Sequence, residues 1–363
     1  METKSVYIHI PFCKKICSYC DFCKVFYNEK WTKKYLSCLK KEIQDRYLDE
    51  EIETLYIGGG TPSALSINEL KSLFRIVKLF KLNNLKEFTF ECNPTDISRE
   101  LIELLKKNNV NRISIGIESF DNNNLRFMNR ECSFEDINEK INLIKEIGIN
   151  NINVDLIYAL PNESMNTLRK DLKLINKLDV NHVSTYSLMI EPNTMLSYLN
   201  TKPINEDTDA RMYNIICRYL KRKGFNHYEV SNFAKEGFES KHNLVYWNNE
   251  EYYGFGVGAS GYIQGVRYDN TKSLGDYLKG NYLKTSSILS KDEIMEYEVI
   301  LGLRKCEGIN IREFYNKYNI NIQSQYPNIN ELIRSKDLIY KNGYLFINPD
   351  KLYIMNEVLV KLI

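Results

Sequence analysis

Six runs rich in β-branched and aromatic residues recur through the first half of the chain: Val6–Ile10, Thr54–Gly58, Glu87–Glu91, Arg112–Ile117, Ile152–Ile157 and His182–Leu188. Between them, apolar residues return at three- and four-residue steps. Ile97, Leu101, Leu104 and Leu105 do so first, then Phe134, Ile137, Ile141 and Ile144, then Met165, Leu168, Leu172 and Ile175. That is the period of a helix with one buried face. Strand and helix in steady alternation leave few folds open. The connections are long enough for the right-handed crossovers that parallel strands require. Strands read as apolar on both faces imply a parallel sheet covered by helices. The expected class is α/β, a partial (β/α)6 TIM-like barrel.

The alternation fades after "EPNT", Glu191 to Thr194. A helix is expected over residues 206–221, then a strand in "FNHYEV" and a loop-rich stretch, "YYGFGVGASGY". From Lys291 helices dominate. "LIYKNGYLFIN" then reads as a hairpin turning on Asn342-Gly343. The expected division is a core over 1–235, a loop-rich connection over 236–290 that carries "HNLVYW", and a small α+β helix-plus-hairpin domain over 291–363.

A net charge of +2 over 363 residues gives no general attraction to nucleic acid or membrane. No run of eighteen apolar residues is present, and "METKSVYIHI" lacks a signal-peptide core. Nine cysteines without a secretion signal suit a reducing compartment, where clustered thiols serve as metal or redox ligands. A cytoplasmic protein is expected.

In a parallel barrel, groups at the C-terminal strand ends meet at one mouth. After the first strand come Cys13, Cys17 and Cys20; after the second, Gly58, Gly59, Gly60, Thr61 and Pro62. The third ends in Glu91, the fourth in Glu118, the fifth carries Asp155, and Arg130 follows. Structural zinc with four thiolates normally takes two C-x-x-C pairs, and no second pair stands downstream of this loop. Three thiolates on one loop can hold three irons of a [4Fe–4S] cube and leave the fourth open to a small molecule. Glycines let a backbone approach that ligand closely. The acids suit an amine and ribose hydroxyls, and Arg130 suits a carboxylate. Taken singly, each acid is an ordinary structural carboxylate and the glycines an ordinary tight turn. A zinc-binding structural protein is the competing reading of the cysteines.

The motif C-x-x-x-C-x-x-C followed by a "GGG" turn resembles the radical S-adenosylmethionine (SAM) superfamily. "YIHIPFC", "GGGTPS", "ECNP", "RISIGIESF", "NVDLIYALP", "HVSTYSLMIEP", "YEVSNFA" and "HNLVYW" stand in the order of the oxygen-independent coproporphyrinogen III oxidase family. Within it the chain looks most like the HemW-type haem chaperones. The resemblance implies a radical-SAM barrel, a [4Fe–4S] cluster on Cys13, Cys17 and Cys20, and SAM contacts at Tyr7, Gly59, Gly60, Thr61, Glu91, Glu118, Arg130 and Asp155. It also implies one-electron reduction of the sulfonium, supplied by a flavodoxin- or ferredoxin-type donor. A 5′-deoxyadenosyl radical would follow. Lys14 and Lys15 read by themselves as a solvated loop edge, one that a donor with an acidic face could use for docking.

Oxidases of this family resemble the chain less. They carry a further cysteine where Phe22 stands, and an N-terminal extension; five residues precede the first strand here. "HNLVYW" marks the chaperone-like members, which makes His242, Tyr246 and Trp247 candidate haem contacts and a haem-accepting protein an expected partner. A SAM-dependent coproporphyrinogen III dehydrogenase, or another porphyrin-modifying enzyme, is the alternative. The chain departs from the family pattern in several places. Glu118 stands for a glutamine and Cys132 for a histidine, while Asn129 and one residue each in "YALP" and "EPNT" stand for glycines.

Overall fold

The computed structural model describes residues 3–363. All six expected strands form: β1 Ser5–Ile10, β2 Thr54–Gly59, β3 Glu87–Cys92, β4 Arg112–Glu118, β5 Asn151–Tyr158 and β6 His182–Ser187. They pair in parallel in chain order. Three more strands widen the sheet. β7 Asn226–Glu229 and β8 Asn232–Ala234 turn back antiparallel beyond β6, while β9 Tyr253–Phe255 runs parallel to β1. The order is β9-β1-β2-β3-β4-β5-β6-β8-β7, and the two edges do not pair. The barrel is therefore open.

Sequence led us to expect strands apolar on both faces, and they are not. Val6, Ile8, Leu55, Ile57, Phe88, Phe90, Ile113, Ile115, Ile152 and Val154 are buried in the main core, shared with helices Glu29–Arg46, Ile67–Val77, Arg99–Lys107, Phe134–Glu146 and Met165–Ile175. The alternate positions carry Tyr7, Tyr56, Thr89, Glu91, Ser114, Asn153, Asp155 and Ser184. Strand side chains alternate between faces, so one face builds the core and the other lines a polar interior. Serines mark the helix starts: Ser66, Ser98, Ser133 and Ser164 each accept a hydrogen bond from a backbone N–H of the first turn.

"GFGVGA", expected within a loop-rich stretch, is partly a strand. Its first residues belong to β9, and the following turn passes beside the cysteine loop. Gly256 has φ of +101°, and a Cβ there would lie 2.6 Å from the His9 carbonyl. The stretch expected to be loop-rich also contains helix Lys241–Trp247 and a three-stranded antiparallel sheet of Ser260–Ile263, Val266–Asn270 and Leu283–Ile288. The C-terminal hairpin forms as expected, Leu338–Lys341 with Tyr344–Ile347, turning through Asn342 and Gly343 at φ of 54° and 84°.

"HNLVYW" forms a helix that closes the floor of the barrel. Glu87, the first residue of β3, accepts from Ser240 Oγ at 3.2 Å and from the N–H groups of Lys241 and His242 at 2.9 and 3.1 Å. A buried carboxylate thus meets the donors and the positive dipole end of that helix. Glu87→Gln replaces a charge-assisted acceptor by a weaker one that also brings two surplus donors. It should lower unfolding free energy by roughly 1–3 kcal/mol in denaturant titration.

Three departures from glycine share a backbone reason. Asn129, Ala159 and Asn193 have φ of 57°, 60° and 65°, the left-handed region that glycine enters freely. The backbone has been kept and the side chains bear the strain. Asn193 is exposed, so Asn193→Gly should raise stability by roughly 0.5–1 kcal/mol, read in the same titration; a loss would contradict the strain argument.

Candidate functional site

The C-terminal ends of β1 to β6 surround one cavity of about 330 Å³, within the ~300–1,000 Å³ usual for small-molecule sites. It collects Cys13, Cys17, Cys20, Gly59, Gly60, Thr61, Glu91, Glu118, Arg130 and Asp155, which are spread over more than a hundred residues of sequence.

The cysteine loop is clamped at both ends and in the middle. Phe12–Cys13 pairs with Val25–Phe26 at its base. At its crown Ser18 donates from N to the Met128 carbonyl at 3.2 Å and from Oγ to the Phe127 carbonyl at 2.7 Å, while Asn129 Nδ2 reaches the Ile16 carbonyl at 2.9 Å. Arg130 Nη1 lies 3.1 Å from Cys17 Sγ, and Thr61 Oγ1 3.4 Å from Cys13 Sγ. Donors aimed at sulfur suit thiolates. Burial alone works the other way, pushing the Cys13 and Cys20 thiols up to about 11. A bound cationic metal group reverses that preference and deprotonates the ligands. Among the described residues no three such groups converge closely enough for a single metal ion, whereas a cube spreads its ligands over several irons. The donor set fits a [4Fe–4S] cluster.

The glycine turn is a cradle that side chains would fill. A Cβ on Gly58 would sit 2.7 Å from the Glu91 carboxyl carbon and from the Tyr56 ring. One on Gly60 would sit 2.7 Å from the Pro11 carbonyl carbon and 3.0 Å from Cys13 Sγ. Either would force the turn or these neighbours to shift.

Three carboxylates face this space. Burial pushes Glu91 up to about 7, against hydrogen bonds from Tyr56 Oη at 2.6 Å and Gly59 N at 3.1 Å. Burial also pushes Glu118 up to about 7, against the Arg130 guanidinium 3.8 Å away. Asp155 is raised by burial too, although Asn153 Nδ2 donates to it at 2.8 Å and Ser114 Oγ at 3.4 Å. The interior holds more acid than base and fits a ligand bearing positive charge.

A model of the radical SAM superfamily matches residues 7–175, and one of the HemN C-terminal domain matches residues 289–350. The chain is 41% identical over 359 residues to the heme chaperone HemW of Lactococcus lactis, covering 96% of this chain and 94% of that protein. It is 37% identical to HemW of Bacillus subtilis, with 93% of each chain covered. The chain belongs to the HemW family. Coproporphyrinogen III oxidase (HemN) of Escherichia coli superposes with a TM-score of 0.88 at 21% identity, covering 99% of this chain and 90% of that one, so the two share a fold.

In this HemW-family chain, seven of the eight residues expected at SAM line the cavity. Tyr7 stands one layer back, its hydroxyl 3.0 Å from His9 Nδ1 and its ring 6.0 Å from that of Tyr56. Arg112, Ser114, Asn153, Ser184 and Tyr186 also line the cavity, and sequence reasoning did not single them out. Their signal was there: polar residues at every second position of β4, β5 and β6. Cys23, outside the cluster spacing, points to the Lys272 carbonyl at 3.4 Å. Lys14 and Lys15, expected to form a docking edge, are paired with Asp96 and Glu131 at 2.8 and 2.9 Å.

The residues expected at haem in "HNLVYW" lie inside the fold. His242 is fully buried, with Nδ1 2.8 Å from Thr54 Oγ1 and Nε2 2.8 Å from Tyr246 Oη. Both ring nitrogens are engaged at the barrel floor, away from the cluster loop. Tyr246 stacks edge-on against Tyr252, and Trp247 packs under Arg304 of the C-terminal region. The three residues join the barrel to the following helices.

The raised acids give stability a pH sign. Between 4.5 and about 7 the folded chain holds protons on Glu91 and Glu118 that the unfolded chain has lost. Their contribution to stability is therefore complete at low pH and falls as pH rises through that window. Glu118→Gln should flatten the fall in the ligand-free protein by up to ~1.4 kcal/mol per pH unit, measured as unfolding free energy against pH. An unchanged slope would remove Glu118 from the account.

Proposed function

We propose that the chain binds a [4Fe–4S] cluster through Cys13, Cys17 and Cys20, holds SAM against it, and carries haem to an acceptor protein. Full-length similarity to proteins named heme chaperone HemW is the observation that carries this reading. The cavity chemistry supports the cofactor part. Arg130 would meet the SAM carboxylate, and the acids would meet its ammonium and ribose hydroxyls. Gly59 to Thr61 would let its backbone contacts form. A cluster held by Cys13, Cys17 and Cys20 and reduced by a flavodoxin- or ferredoxin-type donor would supply the electron for cleavage of the sulfonium. The buried walls of the cavity keep water from that step.

A second reading, modification of a porphyrin with SAM as oxidant, is favoured by one observation: the cavity retains the full set of acids, Arg130 and glycines. One sample decides between them. Anaerobically purified protein should contain iron and sulfide and give a saturable Soret change with haem, without turning over coproporphyrinogen. Zinc without sulfide, or haem binding that never saturates, would overturn the carrier reading; porphyrin turnover with 5′-deoxyadenosine would establish the second. Cys20→Ala should abolish cluster absorbance and weaken SAM binding at least ~10-fold, since the iron anchor is lost.

A further inference from the structure

The segment after β6 folds over the cysteine loop. Leu196 N donates to the Ser18 carbonyl at 3.2 Å, and Leu188 and Leu196 are buried with Met128, Ile157 and Leu160. Its other side is bare: Met189 is 69% exposed, Tyr198 71% and Leu199 67%. On the cysteine loop Phe22 is 63% exposed. Phe22, Met189 and Tyr186 all reach the wall of the same cavity, as do Lys15 and Lys24. Isolated apolar residues on a surface need no account, but large ones gathered at one opening mark a binding surface.

The histidines narrow what this rim can do. The chain has four. His9 bonds Tyr7 Oη and the Cys23 carbonyl, His182 bonds Asn153 and Tyr228, and His242 bonds Thr54 and Tyr246. His227 stacks on Phe233 at 4.2 Å beside β8. None stands at the mouth. An iron ligand there has to come from another side chain, and the exposed Met189 thioether is of a type that holds haem iron.

We propose that haem docks on this rim and not at His242, with the macrocycle against Phe22 and Tyr186, Met189 on the iron, and the propionates towards Lys15 and Lys24. The proposal rests on the haem-carrying reading and locates its site. Haem is a flat apolar disc with two carboxylates on one edge, and the rim offers aromatic faces, a soft sulfur and the ammonium groups of Lys24 and of Lys15, whose present partner Glu131 a propionate would displace. A site on the surface also lets haem leave for an acceptor without opening the barrel. Seated there, haem would cover the entrance to the SAM cavity.

Haem titration of the cluster-loaded protein tests this. Met189→Ala and Phe22→Ala should each weaken haem binding about tenfold or more while iron and sulfide content stay unchanged. Met189→His should tighten it and give the absorption spectrum of histidine-ligated haem, a gain that misfolding cannot mimic. Saturable wild-type binding with all three variants unchanged would overturn the rim and leave the carrier reading standing. So would loss of binding in a His242→Gln protein that retains wild-type SAM affinity. A wild type that never saturates would overturn both.

Discussion

Glu91, Glu118 and Asp155 are carboxyl groups taken out of water on the inner face of one sheet, and that cost organises the barrel. A buried carboxylate persists only where hydrogen bonds or a cation offset its lost hydration. Each acid has part of this: Tyr56 and Gly59 on Glu91, Arg130 near Glu118, Asn153 and Ser114 on Asp155. Arg112, fully buried beneath them, adds charge at longer range; its Nη1 reaches only Thr89 Oγ1 at 3.5 Å, and its Nε has no partner. All three acids remain raised by burial. The interior thus carries more acid than its own partners balance, and a cationic group would offset it.

The same interior needs a closed floor, because an open barrel would flood from beneath. Helix Lys241–Trp247 supplies it, held by Glu87 at its N-terminus and by the His242 bridge to Thr54. The closure reaches further: Asn249 Nδ2 donates to the Ile294 carbonyl at 3.1 Å and Lys305 Nζ to Asn248 at 2.8 Å. The C-terminal region is therefore tied to the barrel through the element that seals it. A histidine, tyrosine and tryptophan in one short motif look like a ligand set on paper. In the fold, their side chains also serve as wall and fastening.

Much of this was legible in the sequence. The six strands, the helix periods and the hairpin at Asn342-Gly343 follow local rules of period and turn chemistry, and the strand ends pointed to Cys13, Glu91 and Asp155. What escaped has physical reasons. β9 is three residues long, with a glycine at its centre, and carries no period. Arg112 and Asn153 alternate with isoleucine and valine, so a reading of bulk hydrophobicity hid the polar face that period two displays. The role of His242 depends on Thr54, 188 residues away, and no local pattern records such a contact.

Phe22 shows how site and surface connect. In the oxidase-like pattern a further cysteine belongs at that position; here an aromatic side chain stands 63% exposed on the cavity rim. A cysteine there would add sulfur chemistry beside the cluster. A phenylalanine adds none and exposes apolar area to water, which is unfavourable unless something covers it. The same holds for Met189, 69% exposed on the facing segment although its neighbour Leu188 is buried. Residues 188 and 189 thus divide the segment's work: one pins it to the cysteine loop, the other is left free. An apolar rim thus stands above a polar, acid-rich interior, and the two surfaces differ in the chemistry each can receive.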